Sequence, residues 1–362
     1  MKTLEDILNN SHSISDIAGI PQKVFCDLVV IGERCERQKA VYTVLTTLLY
    51  YKTIHPEQDV RKHQAHFSGG FSGRTFDMKN VTPVLKKMRL PAMAESGWLT
   101  RSLEQPYPYD FNYNGNIPSV VKMPFLRSLD YVEKHPKCAE KMLRILLNQV
   151  IKTSEQHKVV ITPLKNPDKL SISSITDALQ KHFLHHYDTH NGAKLPVLAF
   201  HAIYSCLIKE LKRYEGCTLA PLSSLTACDR TNKASGDIEI FRDGRLFEAI
   251  EIKLDKKIDS QIVRVVEEKV YKWNPQRYYV LSVLGTKVED QDEISDIICK
   301  VGVNHGCQII NNGLLPTIKY YLRLISDLGG FVNTYSKAVE EDDELQYVHK
   351  EYWNFLIAEY EL

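Results

Sequence analysis

The chain has 362 residues, 43% of them hydrophobic, and a formal charge of +1 at pH 7. That length supports one large or two ordinary domains with full cores, and the near-neutral balance excludes a protein that meets polyanions through uniform basicity. No apolar run approaches the roughly 20 residues that a membrane-spanning helix needs, which excludes insertion of that kind.

Taken in order, Leu4 to Asn10 and Ser13 to Gly19 read as short helices with Thr or Ser starts, and Pro21 opens another that runs to Asp27. Glu36 to Lys52 carries Ala40, Val44, Leu45, Leu48 and Leu49 at helical spacing. The texture changes between His66 and Phe76, where three glycines and three phenylalanines alternate with small hydroxyl residues. Glycines let a backbone approach a phosphate, and Arg74, Lys79 and Arg101 stand nearby to bind one. The competing reading is a turn-rich connector whose phenylalanines plug the helical core. Charge favours the first, since Arg61 to Gln105 holds eight Lys/Arg against three Asp/Glu, whereas Val339 to Leu362 holds eight acids against one lysine. Neither GxGxxG nor a P-loop is present. Thr82 to Met88 is expected to be helical, and the Pro/Tyr/Asn-rich passage Gln105 to Pro118 to be a long ordered loop, a second place for base contacts.

Lys137 to Thr153 has an amphipathic pattern, and the proline-bearing stretch Thr162 to Leu170 marks the best domain boundary. The expected division is a mostly helical recognition part over 1–165 and a second domain over 166–362. Ser173 to Tyr187 and Leu195 to Tyr214 read as helices. His182, His185, His186 and His190 cluster there, but without HExxH or a cysteine partner a polar helix face is the default. Eight cysteines with no CxxC pair, and no signal-peptide start, predict reduced thiols in a cytosol.

The most informative stretch is Gly236 to Leu254, GDIEIFRDGRLFEAIEIKL. Asp243-Gly244 between two runs rich in Ile and Phe is a hairpin signal. Side chains alternate along a strand, so Ile250, Ile252 and Leu254 point to the core while Ala249, Glu251 and Lys253 share the other face. A two-residue loop in unbroken register would set Glu239 against Glu248 and Asp237 across from Ile250. An odd loop or a bulge at Asp243 to Arg245 instead sets Ile238 against Ile250, Phe241 against Phe247 and Asp237 against Glu251. Two carboxylates about 4 Å apart repel by roughly 4 kcal/mol at an effective dielectric near 20, so they share a proton or hold a cation. Oxygen ligands alone favour magnesium, with manganese able to substitute. Lys253 completes a set that can hold a metal, orient a water and offset charge on a phosphate under attack.

Asp237, thirteen residues, then Glu251-Ile252-Lys253 resembles the signature of the PD-(D/E)xK nucleases, and the setting from Asp229 to Ile240 resembles type II restriction endonucleases, among them the SacI-like group. The similarity runs from Asp229 to about Ser282, and Gly236 stands where the name-giving proline would be. Five (D/E)xK triplets occur in the chain, at Asp77, Glu210, Glu251, Asp255 and Glu267, but only Glu251 sits on an apolar strand with an acid on its partner. The resemblance implies an α/β (α+β) fold: a nuclease core with a mixed central sheet flanked by helices, after a mostly helical N-terminal part. It implies that Asp237 and Glu251 bind Mg2+ and that Lys253 assists the attacking water. It further implies cleavage of double-stranded DNA leaving 5′-phosphates, a homodimer, a companion DNA methyltransferase and a place in a bacterial or archaeal cytoplasm. On the helix before the first core strand, Glu210 is the family's candidate for a supplementary acid, and a solvent-facing Glu beside Lys209 and Lys212 is the favoured reading of it. Ile258 to Trp273 and then Arg277 to Val283 supply the expected helix and buried strand, and Pro316 to Leu328 and Asp343 to Tyr360 read as closing helices.

The rivals are a repair or recombination nuclease on the same core, a DNA-binding protein whose core is inactive, and an interaction domain with a polar hairpin.

Overall fold

The computed structural model describes residues 2–11, 19–187, 189, 191–222 and 234–362. The expected helix from Ser13, His190 and the approach to the hairpin from Asp229 to Lys233 therefore lie largely or wholly outside the described residues. The chain forms two compact units, Met1–Lys158 and Val159–Leu362, divided just ahead of the proline-bearing stretch.

The first unit is helical: α1 (Leu4–Asn9), α2 (Gln22–Glu33), α3 (Lys39–Ile54), α4 (Gly73–Asn80), α5 (Thr82–Lys87), α6 (Ser119–Lys134) and α7 (Ala139–Gln156). Every residue of α3 from Val41 to Tyr50 is buried, the mark of a central helix with no solvent face. Around it α2 packs on α6 and α7. Lys52 at the end of α3 is almost fully buried and stands only because Glu133 takes its ammonium at 2.8 Å and the Gln58 carbonyl at 2.7 Å.

The glycine-rich passage closes on the unit itself. The Phe71 amide donates to the Lys62 carbonyl and that of Gly73 to His63, while the Phe71 ring stacks on Tyr51 at 3.9 Å. A Cβ on Gly73 would lie 2.8 Å from the Trp98 ring, so the close approach this glycine permits is to Trp98. The passage is thus the core-plugging connector, with α4 starting inside it. In the loop that follows, Tyr109 and Tyr113 are buried while Tyr107 and Phe111 are exposed.

The second unit is mixed α+β. Helices α8 (Ile172–Leu184) and α9 (Lys194–Glu210) precede a five-stranded sheet of β1 (Cys217–Leu219), β2 (Ile238–Arg242), β3 (Arg245–Lys253), β4 (Arg277–Ser282) and β5 (Gln308–Gly313). Its order is sequential, with β1, β2 and β3 antiparallel and β3, β4 and β5 parallel. The parallel pairs are joined by α10 (Ser260–Trp273) and α11 (Gln291–His305), and α12 (Leu314–Leu322), α13 (Leu328–Glu341) and α14 (Tyr347–Glu359) follow.

Both faces of this sheet are covered by helices, which corrects the expectation that one face of the hairpin is core and the other is given to chemistry. Ile238, Ile240, Ile250 and Ile252 pack with α9, α12 and α13, whereas Ala249, Tyr278 and Val280 pack with Val263, Val266 and Val270 of α10. Both crossover helices, α10 and α11, cover one face, and α9, α12 and α13 cover the other, as the buried faces of parallel strands require. Site chemistry is therefore confined to strand ends.

The acidic C-terminal segment is partly spent inside the fold. Asp342 and Glu344 hold the buried Lys194 ammonium at 2.8 and 2.6 Å, and Glu359 pairs with Lys181.

Candidate active site

The hairpin is built differently from the expectation, yet it ends in the expected place. Arg242 pairs with Arg245 across a two-residue turn in which Asp243 and Gly244 both have positive φ, 50° and 73°, the requirement of a type I′ turn. Phe241 therefore pairs with Leu246, not with Phe247. The register then shifts between Ile240 and Phe241, Ile240 facing Glu248, so Phe247 is the extra residue of a bulge on β3. Beyond it Ile238 faces Ile250 and Glu239 faces Ala249. The bulge lies within β3 and not at Asp243 to Arg245. Its effect is the one the sorting of side chains demanded: Glu248 and Glu239 are separated, and Asp237 comes to the side of Glu251.

Asp237 stands one residue ahead of β2. Its amide donates to the Ile250 carbonyl at 2.8 Å, and its Oδ2 accepts the Ile252 amide at 2.8 Å. Gly236 explains the approach, since a Cβ there would sit 2.7 Å from the Ile250 carbonyl oxygen. The proline of the resembling motif has a Cβ too, so the departure from that motif is a packing requirement of this chain.

Glu251 lies near the C-terminal end of β3, where open sheets with parallel strands gather their ligands. Lys253 Nζ meets its Oε1 at 2.6 Å and Lys269 Nζ, from α10, its Oε2 at 2.9 Å. The side chain is only 14% exposed. Burial pushes its carboxyl upward, but the two ammonium groups outweigh burial and leave its pKa below the ordinary value, so it is a carboxylate at neutral pH. The Tyr278 hydroxyl donates to the Ser235 carbonyl and comes within 3.4 Å of Oε2. Burial and then the charges of Glu251 and Asp237 hold that phenol well above its ordinary pKa. It is a fixed neutral hydroxyl beside Glu251, its one proton given to the Ser235 carbonyl.

Lys269 and Tyr278 are the site residues that sequence reasoning missed. Lys269 belongs to the Glu267-Glu268-Lys269 triplet, set aside as a helix pattern. The available signal was the stripe Val263, Val266 and Val270, which turns the neighbouring position toward the strand. Glu239, a third nearby acid, accepts from the Ser235 amide at 2.6 Å and hydroxyl at 2.7 Å.

Other named residues fall elsewhere. Glu210 is exposed and its Oε2 accepts the Ser326 amide at 2.7 Å. His182, expected on a polar face, is fully buried, bonded to the Tyr335 hydroxyl at 2.8 Å and the His349 carbonyl at 3.0 Å. Asp77 of the first triplet is buried and accepts from Ser96, Gly97 and Thr82. Arg74, Lys79 and Arg101 are all exposed on the first unit, Arg74 within 3.4 Å of Glu104.

Among the described residues no group of three or more His, Cys, Asp or Glu side chains is arranged to hold a metal ion. The oxygen-only pair of Asp237 and Glu251 suits magnesium, which takes one or two carboxylates and keeps waters or substrate phosphates for the rest. The residues fit that ion, provided an ammonium yields an oxygen of Glu251. Among the described residues no helix is long and apolar enough to cross a membrane. No protein-family model matches the chain, and no curated protein matches it either.

Proposed function

We propose that the protein is a magnesium-dependent, site-specific deoxyribonuclease of the type II restriction kind, its second unit serving as a PD-(D/E)xK nuclease core. The observation that carries this reading is the convergence of Asp237, Glu251 and Lys253 at the open end of the β2–β3 hairpin, away from its turn. Asp237 is tied to Ile252 at 2.8 Å, and Lys253 to Glu251 at 2.6 Å. A buried carboxylate flanked by a second acid and a lysine suits an in-line attack on a phosphodiester better than a solvated surface pair does.

Asp237, Glu251 and the Ile252 carbonyl would hold the ion. Bound there, magnesium supplies positive charge to the phosphate and makes water more acidic. Lys253 presents its ammonium beside Glu251, where it orients the attacking water and offsets the charge that grows on the phosphate oxygens. Water then bonds to phosphorus as the bond to the 3′ oxygen breaks, and that oxygen takes up a proton, leaving 5′-phosphate and 3′-hydroxyl ends. The Tyr278 phenol stays protonated, its proton given to the Ser235 carbonyl, and stands beside Glu251 without adding charge.

Two such chains acting on a palindromic duplex, with a companion methyltransferase marking host DNA, complete the proposal. Digestion of unmethylated phage DNA with magnesium tests it. Discrete bands are expected; a smear would remove site specificity, and no cleavage with either magnesium or manganese would remove the nuclease reading. Sedimentation on the cognate duplex tests the dimer, which one chain cutting both strands would exclude.

A further inference from the structure

We infer that Lys269 is a placeholder cation, whose ammonium occupies a position on Glu251 that a divalent ion takes up by displacing it. This rests on the nuclease reading above, because it concerns how that site is loaded. One carboxylate is balanced by one ammonium, yet Glu251 holds two, Lys253 on Oε1 at 2.6 Å and Lys269 on Oε2 at 2.9 Å.

The two lysines differ in origin and in side. Lys253 lies two residues along the same strand, while Lys269 reaches in from α10 with its side chain 21% exposed. Oε2 is also the oxygen that the Tyr278 hydroxyl approaches at 3.4 Å. That hydroxyl is bonded to the Ser235 carbonyl and feels the charges of Asp237 and Glu239. Lys269 thus places its charge on the Glu251 oxygen next to the Tyr278 hydroxyl, a hydroxyl that the charges of Asp237 and Glu239 also reach, and an ion taking that oxygen would meet the ammonium first. A carboxylate this buried is unstable without compensation, and two ammonium groups share that task here. A lysine on a flexible four-carbon stem can supply that charge and then withdraw.

The test is direct binding of Mn2+ to the full chain by calorimetry, without DNA or turnover. Lys269→Met is expected to tighten binding about tenfold, since the ion no longer competes with an ammonium. Lys269→Gln, polar and of similar length, is expected to do the same and guards against a folding defect of the methionine variant. Lys272→Met removes a charge from the same helix and is expected to leave the affinity unchanged. Unchanged or weaker binding by both Lys269 variants would overturn the inference, and so would equal tightening by Lys272→Met, which would reveal general electrostatics. Glu251→Gln separates the two readings. If Glu251→Gln binds Mn2+ as the wild type does, the ion is elsewhere and the nuclease reading falls with the inference. Glu251-dependent binding that ignores Lys269 would overturn the inference alone.

Discussion

The Ile252 amide donates to Oδ2 of Asp237 at 2.8 Å, so the strand that carries Glu251 also fixes the orientation of the acid ahead of its partner strand. An asparagine oxygen can accept the same bond without the charge. Asp237→Asn is therefore expected to keep the fold while cleavage falls by about 10³-fold or more, and Glu251→Gln and Lys253→Ala are expected to do likewise. Single-turnover cleavage beside a thermal melt checks this. Near wild-type cutting by any one of the three removes that residue from the assignment.

Gly236→Ala places a Cβ 2.7 Å from the Ile250 carbonyl oxygen, which also accepts the Asp237 amide. The backbone must retreat and take Asp237 with it. A loss of about 1–3 kcal/mol in stability is expected, together with a proportionally larger loss of cleavage, because the displaced group is a site acid. Gly236→Pro, which restores the resembling motif, is expected to be worse still. Urea denaturation midpoints and cleavage rates would measure both, and a fully active proline variant would contradict the steric account.

Arg74→Ala, Lys79→Ala and Arg101→Ala are each expected to weaken specific and non-specific DNA binding together. If each side chain meets one phosphate, the slope of log affinity against log salt becomes shallower by about 1. Lys79 and Arg101 should show this more fully than Arg74, whose guanidinium already lies 3.4 Å from Glu104. Slopes unchanged in all three variants would turn this segment away from DNA.

Burial pushes the His182 imidazole down to about 3, with Nε2 donating to the His349 carbonyl and Nδ1 accepting from Tyr335. The unfolded group titrates near 6.5, so between these values the unfolded chain binds the extra proton. Stability from this group is complete above about pH 6.5 and is lost as pH falls toward 3. His182→Gln is expected to lower stability by about 1–3 kcal/mol at neutral pH, from the disturbed hydrogen bonds, and to flatten the acid dependence of the second unit. Chemical denaturation at pH 5 and pH 7.5 would show it; an unaltered pH dependence would assign the acid sensitivity to other groups.

Local pattern was legible where one period dominated. The helices α3, α7, α8 and α9, the Asp-Gly hairpin and α10 with β4 all lie within a few residues of their expected positions. Missed elements had masked signals: α6 carries Pro124 inside it, β1 has three residues, and α11 presents a thin apolar stripe of Ile294, Ile297 and Val301. The three acidic and basic site residues were visible because a strand's alternation fixes faces. Lys269 was not, because the valine stripe of α10 indicates only the face on which it lies, and where its side chain ends depends on how the helix crosses the sheet. His182 was misplaced for a related reason: its hydrogen-bond partners, Tyr335 and His349, come from the far end of the chain.

The bulge at Phe247 makes the hairpin a matter of parity. With a two-residue turn, equal arms would set Asp237 against Ile250, so one surplus residue on β3 decides that acid meets acid. The length of this arm is then constrained more tightly than its composition. Exchanging Phe247 for another bulky apolar residue alters packing, whereas deleting it turns one carboxylate toward the core and leaves every residue of the motif still present in the sequence. Among homologous chains, a reader who aligned only Asp237, Glu251 and Lys253 would count such a deletion as an intact site.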